Sequence, residues 1–169
     1  MLDYTAIKDY IIAHCLYDSR LHGVAHWQQV EFNGLLLAEE TGADVEVVRL
    51  FALFHDSRRM DDGIDLEHGP RAADFLKACH EAKLTNITKE QFEKLHHACK
   101  YHTSESRSGD ATIDTCYDAD RLDLGRVGIA PNPDKMATRA GTMIARKALD
   151  EGVAVGDMRE WIASQVYKG

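Results

Sequence analysis

The chain lacks most of what marks a secreted, membrane or nucleic-acid-binding protein. Its four cysteines, Cys15, Cys79, Cys99 and Cys116, form no Cys-x-x-Cys pair, which argues against a structural zinc ribbon. With no secretion signal ahead of them, they are expected to be reduced thiols packed as small apolar groups. Met1-Leu2-Asp3-Tyr4 has neither the basic segment nor the apolar core of a signal peptide. No apolar stretch approaches the roughly 20 residues of a membrane span. A cytoplasmic protein without membrane contact is expected. Basic charge is also scarce, since 20 Lys and Arg stand against 28 Asp and Glu for a formal charge of −8. A long nucleic acid is therefore not an expected partner, because phosphate-backbone binders present a basic field. A small anionic substrate stays compatible, since a local cluster of metal and arginines can override the global sign. Nothing in the composition sets an oligomeric state.

Only three prolines interrupt the chain, and no alternating strand pattern, repeat or linker is present. What remains is helical, so the fold class is all-α. A first helix is expected over 3–17, with Tyr4, Ile7, Ile11 and Ile12 on one side. A second runs from about Val24 to Glu40 and stops at Gly42. A third spans about Asp44 to Arg58, and a fourth starts at His68-Gly69-Pro70 and continues to about Glu81. Thr88-Lys89-Glu90-Gln91 is a capping box opening a fifth, with Ile87 able to staple against Phe92. A sixth is expected over about Thr112 to Leu124, and two more over 135–150 and after Asp157. The 169 residues suit one domain, 1–169, with the C-terminal helices of 135–167 packing on the same core.

The most informative segment is Val47-Val48-Arg49-Leu50-Phe51-Ala52-Leu53-Phe54, apolar except for Arg49, which ends in His55-Asp56. Burying an ionised carboxylate at the end of such a helix costs several kcal/mol unless a charge compensates it. A bound cation would do so, with the neighbouring imidazole as a second ligand. Upstream lies His22-Gly23-Val24-Ala25-His26-Trp27, where Gly23 places His22 before the helix and His26 leads an inward stripe with Val30 and Leu37. Downstream lies Tyr117-Asp118-Ala119-Asp120-Arg121-Leu122-Asp123.

The order His, then His-Asp, then Asp on successive helices resembles the HD-domain superfamily of metal-dependent phosphohydrolases, with motifs from His22 to Gly128. The resemblance implies an HD-domain helical bundle that hydrolyses phosphomonoesters or phosphodiesters. It also selects Asp120, because the family's last ligand carboxylate precedes a basic residue and a leucine. Asp118 would then be a supporting or exposed residue, and Asp123 is the weakest candidate. The implied metal ligands are His26, His55, Asp56 and Asp120, a nitrogen and oxygen set suited to Mn²⁺, Fe²⁺, Co²⁺, Ni²⁺ or Zn²⁺. His68 resembles the extra ligand of binuclear family members, and His102 falls at the edge of the fifth helix's inward face. These two are read as binding a second metal, contacting a phosphate, or serving structure alone, so one or two ions per chain are expected.

In the implied mechanism Asp56 or Asp120 orients water, and His68 or His102 protonates the leaving oxygen. Arg59, Arg71 and Arg121 follow the acidic and histidine motifs closely and are candidates to bind phosphate, Arg59 or Arg71 foremost. One departure matters: where HD nucleotidases often place an acidic residue three positions after the His-Asp pair, this chain has Arg59. The Gly-Tyr-Pro signature of the cyclic-dinucleotide branch is also missing, and the chain looks like a distinct small group. The expected function is hydrolysis of a small phosphate ester. An HD-type di-iron oxygenase and a non-catalytic binding module are the two alternatives.

Overall fold

The computed structural model describes residues 2–166; residue 1 and residues 167–169, with the expected end of the last helix at 167, lie outside it. Eight α-helices and no strand occur among the described residues: α1 Tyr4–Ala13, α2 Val24–Thr41, α3 Val45–Phe54, α4 His68–Glu81, α5 Lys89–Tyr101, α6 Ala111–Arg121, α7 Arg139–Asp150 and α8 Met158–Val166. Short 3-10 turns fill the connections at Leu124–Val127, Pro133–Lys135 and Val155–Asp157. No helix among the described residues is long and apolar enough to cross a membrane.

The apolar run occupies the centre. Val47, Val48 and every residue from Leu50 to Phe54 of α3 are buried. Burial on all sides requires neighbours all round, and α2, α5, α6, α1 and α4 each pack against α3. Arg49, the one charge in the run, escapes at the rim: its guanidinium lies over the Tyr4 ring at 3.7 Å and bonds Glu31 at 2.6 Å. Helices α7 and α8 close the edge of the bundle against α2 and each other. Cys79, Cys99 and Cys116 are buried and Cys15 half-buried, all as free thiols.

Local chemistry sets the helix ends. Asp44 caps α3 by accepting from the Glu46 and Val47 N–H groups, and Thr88 with Gln91 forms the capping box of α5. Gly42 ends α2 in the left-handed conformation (φ 68°), where a β-carbon would be strained. Two helices stop earlier than their sequence patterns suggest. α1 ends at Ala13 rather than 17, because Tyr17 and Ser19 turn to the Asp62 carboxylate. α3 ends at Phe54 rather than Arg58, because the His55 ring bonds back to the Phe51 and Ala52 carbonyls and the Ser57 N–H and hydroxyl both take the Phe54 carbonyl. Such side-chain bonds compete with continuation of the helix. α7 begins at Arg139 rather than 135, since Asp118 and Thr138 together organise its start.

Candidate metal centre

Four histidine rings meet in the interior where the end of α3, the start of α2, the start of α4 and the end of α5 converge. His26, His55, His68 and His102 are all buried. In each ring Nδ1 faces an acceptor: Asp123 Oδ2 at 2.8 Å for His26, the Phe51 carbonyl at 3.1 Å for His55, the Asp65 carbonyl at 2.5 Å for His68, and the Cys99 carbonyl at 2.8 Å for His102. Nδ1 therefore donates, which leaves Nε2 as the ring's lone-pair atom. Yet the Nε2 atoms face each other in pairs, at 3.0 Å between His26 and His55 and at 2.9 Å between His68 and His102. Two opposed lone pairs at this distance repel unless a cation or a proton lies between them.

Carboxylates complete both groups, and Asp56 belongs to both. Its Oδ2 lies 3.4 Å from His26 Nε2 and 3.5 Å from His55 Nε2. Its Oδ1 lies 3.1 Å from His68 Nε2 and 3.8 Å from His102 Nε2. Asp120 Oδ1 joins the first group, 3.3 Å from His26 Nε2 and 4.0 Å from His55 Nε2. Donors bound to one ion at typical bond lengths of about 2.0–2.2 Å stand roughly 3–4 Å from one another, so both groups have the spacing of a cation seat. Asp120 Oδ1 is also a buried side-chain oxygen without a hydrogen-bond partner, unlike any other among the described residues. An orphaned carboxylate oxygen is costly, and a cation would satisfy it. The residues fit a divalent metal on one seat or on both.

The electrostatics agree. Burial alone would push the His26 pKa down, but the carboxylates of Asp120, Asp123 and Asp56 around the ring outweigh it and raise the value to about 10. His55, dominated by burial, drops to about 3 and stays neutral. Burial would raise Asp56 and Asp120, but the surrounding imidazoles hold both well below the usual carboxylate range. The cluster is thus a set of anionic oxygens that draws positive charge into the core.

Neighbours orient the ligand atoms. Asp123, the weakest sequence candidate, is buried and fixes His26, and is itself gripped by Arg159 of α8 through Nε at 2.7 Å and Nη2 at 2.8 Å. Carboxylates behind metal-binding histidines set tautomer and ring angle. His22, left outside the helix by Gly23, reaches Asp56 Oδ2 through Nδ1 at 3.0 Å. Arg126 stands beside it, with Nη2 at 3.3 Å from His22 Nδ1 and 3.9 Å from Asp120 Oδ1.

Of the three arginines expected at the site, only Arg59 is there. It is buried, with Nη1 3.6 Å from Asp56 Oδ1 and alongside the His68 ring, while it also binds the Asp61 and Gly63 carbonyls. Arg71 instead ties the Arg58 carbonyl to the Asp65 carboxylate. Arg121 is spent on the carbonyls of Glu105, Ser106 and Lys135, bracing two loops. Neither reaches the cluster because each guanidinium finds its acceptors elsewhere, a carbonyl and a carboxylate for Arg71 and three carbonyls for Arg121. His68 and His102 turn Nε2 toward each other and Asp56, and neither lines the cavity of about 340 Å³ that opens on Asp56 and His22. That placement lets both rings serve as ligands. Asp118, on the same helix as Asp120, serves a separate end: fully buried, it accepts the Ala137 and Thr138 N–H groups and the Thr138 hydroxyl.

No protein-family model matches the chain, and no curated protein does either. Among solved structures, the chain is similar to the crystal structure of a predicted HD superfamily hydrolase from an uncultured Thermotogales bacterium. The TM-score is 0.69 at 21% sequence identity, over 97% of this chain and 94% of that one. A likeness of that extent at that identity concerns the backbone: the chain has the HD-domain fold.

Proposed function

We propose that this protein is a metal-dependent hydrolase of small phosphate esters. The observation that carries the reading is the pairing of opposed Nε2 atoms on both sides of Asp56, with Asp120 Oδ1 left without a partner. His26, His55, Asp56 Oδ2 and Asp120 would hold one ion, and His68, His102 and Asp56 Oδ1 a second. Divalent ions held this way would supply Lewis acidity toward a phosphoryl oxygen and would lower the pKa of a water toward neutrality.

The chain's own residues do the rest. Asp56 spans both seats and keeps them in register. Asp123, clamped by Arg159, holds the His26 lone pair on target. Arg59 and Arg126 place two guanidinium groups beside the carboxylates, where they can neutralise charge on a phosphoryl group. The cavity that reaches Asp56 is walled by Ile12, Leu16, Tyr17 and Trp27, which supports an occupant with a small organic part. Asp18, Ser19 and His22 form its polar wall, and His22 bonds Asp56.

The test is elemental analysis of protein purified without chelator, followed by a panel of phosphomonoesters and phosphodiesters. Turnover should vanish with EDTA, return with Mn²⁺ or Co²⁺, and be lost in D56A and D120A. Cleavage of long DNA or RNA with salt-dependent binding would overturn the substrate class. The same four histidines and two aspartates would also suit two irons. Iron in the purified protein, with oxygen consumption and no phosphoester turnover, would establish the oxygenase reading instead.

A further inference from the structure

A second cavity, of about 410 Å³, lies behind the first metal seat, and its charge runs against that of the whole chain. Arg20, Arg126 and Arg159 line it with Asp123, while Gly125, Gly156 and Met158 supply backbone and apolar wall. Three guanidiniums face one carboxylate there, in a protein whose formal charge is −8. Asp123 is already committed, since its oxygens hold His26 and Arg159.

Donors are left over. Arg159 spends Nε and Nη2 on Asp123, and Nη1 has no partner among the described residues. Arg20 makes no hydrogen bond or ion pair among them and is exposed into the cavity. Arg126 is anchored by the Leu21 and Asp123 carbonyls and has Nη2 beside His22 Nδ1, with its side chain only 9% exposed, so what it brings to the cavity is a charge fixed in place. The N-terminal end of α8 forms one wall and adds the positive pole of its dipole. A β-carbon at Gly156 would meet nothing within 4 Å, so that wall has room beside it.

We propose that this cavity is an anion-binding site for a phosphate-class group, held by Arg20, Arg126 and Arg159. Guanidinium forks match the geometry of phosphate oxygens and bind them bidentately. Arg126 connects the two sites, because it faces Asp120 on one side and lines this cavity on the other. The choice of phosphate over other oxyanions rests on the phosphoester reading above; the anion site itself does not. The occupant is either a second phosphate carried by the substrate or free inorganic phosphate.

Isothermal titration of the metal-loaded protein with inorganic phosphate and with pyrophosphate tests this. Arg20 touches none of the candidate ligands, so R20A should keep its metal content and its turnover of singly phosphorylated esters. R20A and R20E should weaken one phosphate-binding event by about tenfold or more, and R159K should weaken it less than R159Q. If the anion is a second substrate phosphate, R20A raises KM for a bisphosphorylated substrate and not for a monophosphate. If it is free phosphate, R20A alters inhibition or activation by added phosphate and leaves both KM values alone. Phosphate affinity and stoichiometry unchanged in R20A and R20E alike would overturn the site. Arginine-dependent phosphate binding in a protein that hydrolyses no phosphoester would retain the site and remove only the hydrolase reading.

Discussion

The Nε2 atoms of His68 and His102 face each other at 2.9 Å while both Nδ1 atoms donate to backbone carbonyls. Neither ring can offer its partner a proton in its neutral form, so the pair is satisfied by a cation between them or by a proton on His102, whose pKa burial would lower but the Asp56 carboxylate raises. With metal loaded on both seats, two ions per chain are expected. H68A and H102A should each lower the metal count from two to one, because the His26, His55 and Asp120 group is untouched. D56A should deplete both seats, since its two oxygens serve one each. Mass-spectrometric metal analysis alongside circular dichroism reads this out. Two ions retained by H68A would reduce His68 to a structural role.

Asp123 makes a different prediction, because it touches a ligand and not the metal. D123N keeps the shape but can present an amide N–H to His26 Nδ1, which favours the wrong tautomer. Loss of such a supporting carboxylate lowers metal affinity by about 10–100-fold. Competition with a chromogenic chelator would show the shift. R159K, which keeps a charge near Asp123, should lie between wild type and D123N.

The helical fold was legible because apolar spacing, caps and stops point the same way along the whole chain. His55-Asp56 was legible for a simple reason: a carboxylate closing a buried apolar run has to be compensated. His26 stood out as the head of an inward stripe, and Asp120 only through a resemblance, since acidic residues on a helix usually face solvent. Asp123 and Arg126 were harder to see, although each follows its predecessor at a three-residue interval from Asp120 and so shares its side of the chain. Their partners, His26, His22 and Arg159, are distant in sequence, and only packing brings them together. Arg71 and Arg121 show the reverse error. Proximity in sequence to a ligand says nothing about where a long side chain finds carbonyl acceptors.

Gly69 permits the second seat. A β-carbon there would come within 2.8 Å of the Lys100 carbonyl oxygen and 2.9 Å of that of Cys99, so α4 touches the last turn of α5 through bare backbone. His68 and His102 flank this contact. G69A should cost about 1–3 kcal/mol of stability, the range for overpacking a filled interior, measured by urea denaturation. It should also lower occupancy of the His68–His102 seat more than that of the His26–His55 seat, because the clash separates the two helices. Equal loss at both seats would mean the contact only holds the bundle together.

Asp110 allows a pH test away from the cluster. It caps α6, the helix that carries Asp120, by accepting from the Thr112 and Ile113 N–H groups, and it pairs with Lys94 at 3.3 Å. Its partial burial would raise its pKa, but the cap bonds and Lys94 prevail and hold it below the usual carboxylate value. A depressed folded-state pKa means that the carboxylate stabilises the fold above the unfolded value of about 3.9 and loses that contribution as pH falls through the folded one. D110A should therefore be less stable than wild type by about 1 kcal/mol at neutral pH. The gap should hold down to about pH 4 and narrow below it, as wild-type Asp110 takes up its proton. Thermal or urea unfolding of both proteins from neutral to acid pH measures the gap directly. A difference that stayed constant through that acid range would mean that the capping bonds do not depend on the carboxylate's charge.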